Sequence, residues 1–219
     1  MPRMARLVIP GCPHHVTQRG NRRQRTFFST ADYLAYIEFV RRALPSAACE
    51  IWAYCLMPNH VHFVVVPQHE QSLALLFKDA HRNYTRMINF RMNWRGHLWQ
   101  ERFHSFVMDD AHLAEAVRYV ELNPVAAGLC ATPLSWRWSS VHAHSIAIDD
   151  DLITVKPMLD RFPDWAGYLA QGLSGEAIQE IHSHLGTGRP LGDARFIERL
   201  ETITGRVLKL RKVGRKPGH

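Results

Sequence analysis

Cysteine is scarce. The chain has four, Cys12, Cys49, Cys55 and Cys130, and no two of them form a C-x-x-C pair. That argues against a zinc ribbon, a thioredoxin-type redox site and a disulfide framework. Long apolar runs are missing too, so no segment reads as a membrane span. The opening stretch, MPRMARLVIPG, lacks the apolar core of a secretory signal. Together these absences point to a reduced, cytoplasmic protein. Acid is missing from both ends. Residues 1–31 hold six arginines and no Asp or Glu, and the last stretch, RVLKLRKVGRKPGH, holds six Lys or Arg and no acid.

What is present fits those absences. The 219 residues are 46% hydrophobic, enough for a real core, and carry a formal net charge of +7. A basic balance concentrated at the ends favours an anionic partner, nucleic acid first. The candidates for phosphate or base contact are Arg19, Asn21, Arg22, Arg23 and Arg25 near the start, and Lys209, Arg211, Lys212, Arg215 and Lys216 in the tail.

Periodicity gives the element order. HHVTQR, residues 14–19, alternates as a strand. Ser29 followed by Asp32 makes a capping box, and Leu34, Ile37, Val40 and Leu44 recur at helical spacing, so a helix is expected over 30–44. EIWAYCLM and HVHFVVV, residues 50–57 and 60–66, flank a Pro-Asn turn and read as a hairpin. A long helix follows over 70–92, with Leu73, Leu76, Phe77, Ala80, Tyr84 and Ile88 along one stripe. A fourth strand is expected over 97–108 and a further helix over 110–122, with Pro124 to stop it or start another.

The order β-α-β-β-α-β is that of a ferredoxin-like α+β fold: an antiparallel sheet with helices on one face. It occupies residues 1–130. Residues 131–205 read as a C-terminal helical appendage, with helices near 174–185 and 192–203. Residues 206–219 read as a basic tail without fixed structure.

Three His-x-His pairs occur, at 60/62, 142/144 and 182/184. In a strand, residues two apart share a face, so His60 and His62 project together and can hold one divalent ion. The alternative is two satisfied core histidines. The second pair has no strong strand signal. The third lies in an expected helix, where positions two apart diverge. Tyr119 and Asn123, four apart, can share a face of the 110–122 helix. Tyr84 is a rival hydroxyl, placed by its stripe in the core. Trp94, Trp99, Trp136 and Trp138 lie near expected turns and are candidate stacking platforms.

The stretches YCLMPNHVHFVV, LWQERFHSF and RYVELNPVAAGL, in that order, resemble the HUH single-tyrosine transposases. The REP-associated tyrosine transposases, relatives of the bacterial insertion-sequence enzymes, fit best. TGRPLG and the segment beginning FIERLETITGR are similar to that group's C-terminal region, so the resemblance spans most of the chain. It implies that His60, His62 and Asn123 hold Mg²⁺ or Mn²⁺ and that Tyr119 attacks DNA. Insertion-sequence relatives carry Gln where Asn123 stands. It also implies cleavage and joining of single-stranded DNA at imperfect palindromic REP hairpins through a covalent 5′-phosphotyrosine, by a monomeric, nucleoid-associated bacterial protein. Two other readings stay open: a non-catalytic single-stranded DNA or RNA hairpin binder, and a metal-dependent hydrolase in which water attacks.

Overall fold

The computed structural model describes residues 6–209. Four strands form one antiparallel sheet: β1 (His14–Arg19), β2 (Cys49–Met57), β3 (His60–Pro67) and β4 (His104–Val107), in spatial order β2-β3-β1-β4. That is the ferredoxin-like order expected from the sequence.

Helices α1 (Thr30–Ala47) and α2 (Ser72–Met92) cover one face. Val16, Val61, Phe63 and Val65 from the sheet meet Tyr36, Val40, Leu76, Phe77 and Tyr84 from the helices. The start of α1 is fixed as expected: the Asp32 carboxylate accepts the Ser29 and Phe28 amides at 3.1 and 2.8 Å. Arg91 at the far end of α2 pairs with the same carboxylate. Tyr84 is fully buried and donates to the Thr26 carbonyl at 2.7 Å, so it is a core residue.

The second face is covered as well, which a sheet with helices on one side alone would not show. Helix α3 (Asp110–Ala126) lays Leu113, Ala116, Val117 and Val120 on Ala53, Cys55, Met57, Val64 and Phe106. Burial on both faces explains why FVVV runs unbroken instead of alternating with polar residues. Residues beyond 130 share this second core. They form α4 (Val141–Ile146), α5 (Lys156–Leu159), α6 (Trp165–Ala170), α7 (Gly175–Thr187) and α8 (Ala194–Thr204). Met158, Trp165, Tyr168 and Ile181 pack in the second cluster, and the Leu56 amide donates to the Trp138 carbonyl at 2.8 Å. Helix α8 closes a third cluster, with Phe196 and Leu200 against Leu7, Ile9 and Val107.

Three boundaries differ from the sequence reading. The fourth strand is 104–107, not 97–108. β1 ends at Arg19, so residues 97–103 have little strand to pair with. They keep one bridge, Gly20 with Trp99, and send Trp99 and Phe103 into the α1/α2 core. Helix α3 runs through Pro124 to Ala126. Only one amide is lost there, the proline ring is buried, and the turn continues through the Ala127 amide to the Asn123 carbonyl at 2.9 Å. Helix α1 likewise passes Pro45. Of the tryptophans taken as stacking platforms, Trp99 and Trp138 are core, Trp136 is half-buried, and Trp94 is exposed.

Candidate active site on the second sheet face

Strand register sets the first part of the site. β1 and β3 pair with Thr17 opposite His62 and Arg19 opposite His60. Opposed residues share a face, so these four side chains and His15 all point toward α3. Helix α3 crosses that face and presents Tyr119. The Tyr119 ring stands perpendicular to His62, with centroids 5.4 Å apart, and the His60 and His62 rings are 4.8 Å apart. The phenol therefore meets His62, which in turn meets His60, although Tyr119 lies far along the chain from them.

The hydrogen bond to Asn59 fixes the free nitrogen of His60, and the contact with His15 occupies one nitrogen of His62. His60 donates from Nδ1 to Asn59 Oδ1 at 2.6 Å, leaving the lone pair on Nε2. His62 Nδ1 lies 3.0 Å from His15 Nε2, and His62 Nε2 is buried with no partner. Burial pushes His60 down to about 3, with the Arg19 charge adding to the shift, and pushes His62 well below its ordinary value. Burial pushes His15 down to about 3. The imidazoles are neutral at physiological pH, the state in which they act as ligands. Burial also raises the Tyr119 pKa, against the opposing pull of an Asn123 hydrogen bond and the Arg19 charge.

These residues fit a divalent ion. A buried imidazole nitrogen with no partner is costly unless something accepts its lone pair. His62 Nε2 is such an atom, His60 Nε2 carries a lone pair on the same face, and the Asn123 amide lies one helical turn beyond Tyr119. Among the described residues no group of three His, Cys, Asp or Glu could hold an ion, so an amide would have to complete the set. Two neutral rings and an amide would leave the ion its full charge.

The phenol oxygen has a further neighbour. His182 Nε2, on α7, lies 3.0 Å from Tyr119 Oη. Positions two apart diverge on a helix, so His182 and His184 are not expected to act as a pair. They do diverge, and His182 alone reaches the site. A cleft of about 610 Å³ opens here, lined by Thr17, Arg19, Arg23, His62, Tyr119 and His182. His15 was missed as well. Its signal was the parity of HHVTQR, which places it with Thr17 and Arg19. His182 had no local signal. His144, of the remaining pair, is buried and hydrogen-bonded to Glu121 at 2.7 Å.

The arginine-rich loop lies beside the cleft. Gly20 permits it: a Cβ there would fall 2.3 Å from the Gln24 carbonyl oxygen. Arg22 and Arg23 adopt left-handed backbone, φ 52° and 60°, and the Arg23 carbonyl accepts from Asn59 Nδ2 at 3.0 Å. Arg22 and Arg23 are exposed, and Arg19, Asn21 and the start of the following turn are half-buried. A second cleft, about 530 Å³, joins Arg23, Arg25, Asn59 and His60 to Ala127 and Leu129 after α3. Lys209 pairs with Glu198 at 2.9 Å. Arg211, Lys212, Arg215 and Lys216 lie outside the described residues.

Comparison with known proteins places the chain in a family. The chain is 28% identical over 130 residues to a Haemophilus influenzae protein described as a REP-associated tyrosine transposase, covering 52% of this chain and 73% of that one. It shares the fold of a REP-associated tyrosine transposase solved bound to a REP hairpin, with a TM-score of 0.59 and 20% identity over 70% of this chain and 92% of the other. Residues 9–123 match the family described as IS200-like transposases. That stretch takes in both imidazoles, the phenol and the Asn123 amide and is more than half of the 219 residues, so the chain belongs to the IS200-like transposase family.

Proposed function

We propose that this protein cuts and rejoins single-stranded DNA at REP-type hairpins through a covalent 5′-phosphotyrosine on Tyr119. One observation carries the reading: the Tyr119 ring stands 5.4 Å from His62, whose Nε2 is buried and unpartnered. Other buried imidazole nitrogens, such as His144 Nε2, also lack a partner, but His62 Nε2 lies on the face where a second imidazole and a half-buried phenol gather.

His60, His62 and Asn123 would hold Mg²⁺ or Mn²⁺. When bound, such an ion neutralises charge on the scissile phosphate and helps orient it. The protein's own groups do the rest. Tyr119 bonds to phosphorus, and its phenolate later leaves when a 3′-hydroxyl attacks, so strands can be rejoined. Arg19 and Arg23 line the cleft and are placed to pull a phosphodiester into reach. Arg22, Arg25 and Asn21, on the adjoining loop, are placed to contact the hairpin foot. Lys209 and the basic residues after it would add phosphate contacts.

Residues 1–130 would form the catalytic unit, with 131–205 bracing α3 and 206–219 serving as a DNA-contacting tail. Helix α3 reaches the imidazoles of its own chain, so a single copy could form the site, and we propose a monomer. A protein that acts on DNA hairpins would work in the cytoplasm at the nucleoid, and no helix among the described residues is long and apolar enough to cross a membrane.

The test is incubation of a 3′-labelled single-stranded REP-type hairpin with the protein and Mn²⁺, followed by a denaturing gel. A protein-linked band is expected. Binding with no such band would favour a hairpin-binding protein, and cleavage with no linked band a hydrolase.

A further inference from the structure

A phenol must lose its proton to bond to phosphorus. We propose that His182 is the general base that takes it. The inference rests on the reading of Tyr119 as nucleophile and assigns its activation to a residue outside the stretch that matches the family.

The geometry singles out this side chain. His182 Nε2 lies 3.0 Å from the phenol oxygen, with the two rings edge to face at 5.7 Å. Proton transfer needs that reach first. The other groups around the phenol are poor acceptors. Arg19 is permanently cationic. Asn123 is an amide. His15 and His62 pack edge-on against the phenol ring and share a hydrogen bond with one another, whereas His182 is the imidazole hydrogen-bonded to the phenol oxygen.

His182 is held in place without being buried. The neighbouring Ile181 is 1% exposed and anchors α7 in the second core, while the His182 side chain sits at the cleft surface. The α7 start is fixed by Ser174, whose side chain accepts the Ala177 amide at 3.1 Å. An imidazole pinned at one edge to the phenol and open to solvent at the other can pass on the proton it receives.

The step balances. With a proton already on Nδ1, His182 Nε2 takes the phenol proton and becomes imidazolium. The phenolate oxygen bonds to phosphorus. The P–O3′ bond breaks with its electron pair on O3′, which takes a proton from solvent. In the reverse step a 3′-hydroxyl gives its proton to solvent as its oxygen bonds to phosphorus, and the imidazolium returns its proton to the departing phenolate.

The test compares His182→Ala and His182→Gln with the unaltered chain in single-turnover formation of the protein–DNA adduct, with hairpin affinity measured alongside. His182 is exposed, so both variants should fold. Both should slow adduct formation by about 10²-fold or more with affinity unchanged. Added imidazole should restore part of the rate in His182→Ala. His182→Gln keeps a hydrogen-bonding group without a base, so the unaltered rate in that variant would reduce His182 to an orienting contact and overturn the proposal. A slow His182→Ala that imidazole does not rescue overturns it too. If the unaltered chain forms no adduct at all, the nucleophile assignment fails and the base falls with it. If a Tyr119-dependent adduct forms equally fast in both variants, only the base assignment fails.

Discussion

His15 Nε2 lies 3.0 Å from His62 Nδ1, so one buried imidazole orients another. If His62 donates from Nδ1 to His15, its Nε2 lone pair is left for an ion. A partner of this kind fixes both the tautomer and the ring angle of a ligand. His15→Ala should therefore weaken Mn²⁺ binding by about 10- to 100-fold, read by calorimetry without DNA. Unchanged affinity would show that His62 holds its orientation alone.

Tyr119→Phe removes one oxygen from a half-buried ring. The protein-linked DNA band should vanish, while hairpin affinity stays within about twofold, read by gel shift. A residual band of unaltered yield would move the nucleophile elsewhere, and fully buried Tyr84 could not replace it without unfolding α2.

The loop after β1 should act through charge. Single Arg→Ala changes at Arg22, Arg23 and Arg25 should weaken hairpin binding. For each of these arginines that neutralises a phosphate, its removal should lower the slope of log affinity against log salt by about 1. A variant that keeps the slope of the unaltered chain would show that its arginine does not touch a phosphate. If affinity also falls for one hairpin sequence only, that arginine reads a base.

Acid should destabilise the fold through His14. Its Nδ1 donates to the Cys12 carbonyl at 2.8 Å and its Nε2 accepts the Ile9 amide at 3.1 Å, so the neutral ring is fully satisfied. Burial pushes it from 6.5 down to about 4, the Cys12 bond pulling the other way. The unfolded chain then binds the proton more readily than the folded one. This contribution is complete above pH 6.5 and falls away as pH drops toward about 4. Half-buried His81, which desolvation pushes down to about 3, acts with the same sign. Unfolding free energies from urea titrations should drop with pH below neutrality, by about 1.4 kcal/mol per unit for each ring. A flat profile between about pH 7 and pH 5 would show that both rings charge in the folded state without penalty.

Glu121 should matter for stability although it never reaches the cleft. Its fully buried carboxylate accepts Ser140 Oγ at 2.6 Å, His144 Nδ1 at 2.7 Å and Trp165 Nε1 at 3.0 Å. It thereby ties α3 to α4 and α6. Glu121→Ala strands three buried donors and should cost about 3 kcal/mol or more by chemical denaturation. A cost under about 1 kcal/mol would mean that water replaces the carboxylate.

Much of this protein was legible in its sequence, because local patterns carry local physics. Two-residue alternation in HHVTQR, three-four spacing in α2 and the Ser29–Asp32 box placed the elements, and their order implied the sheet. The parity of His60 and His62 put both rings on one face, and the resemblance in RYVELNP pointed to Tyr119. Tertiary structure decided the rest. Burial on both sheet faces carried α3 past Pro124, since a packed ring outweighs one lost amide bond. The early end of β1 left 97–103 off the sheet. Cross-strand register brought His15 to His62, and docking of α7 on the second core brought His182 to the phenol, 63 residues along the chain. Hydrogen-bond distance between such groups depends on how helices pack onto a sheet, and no local spacing records it.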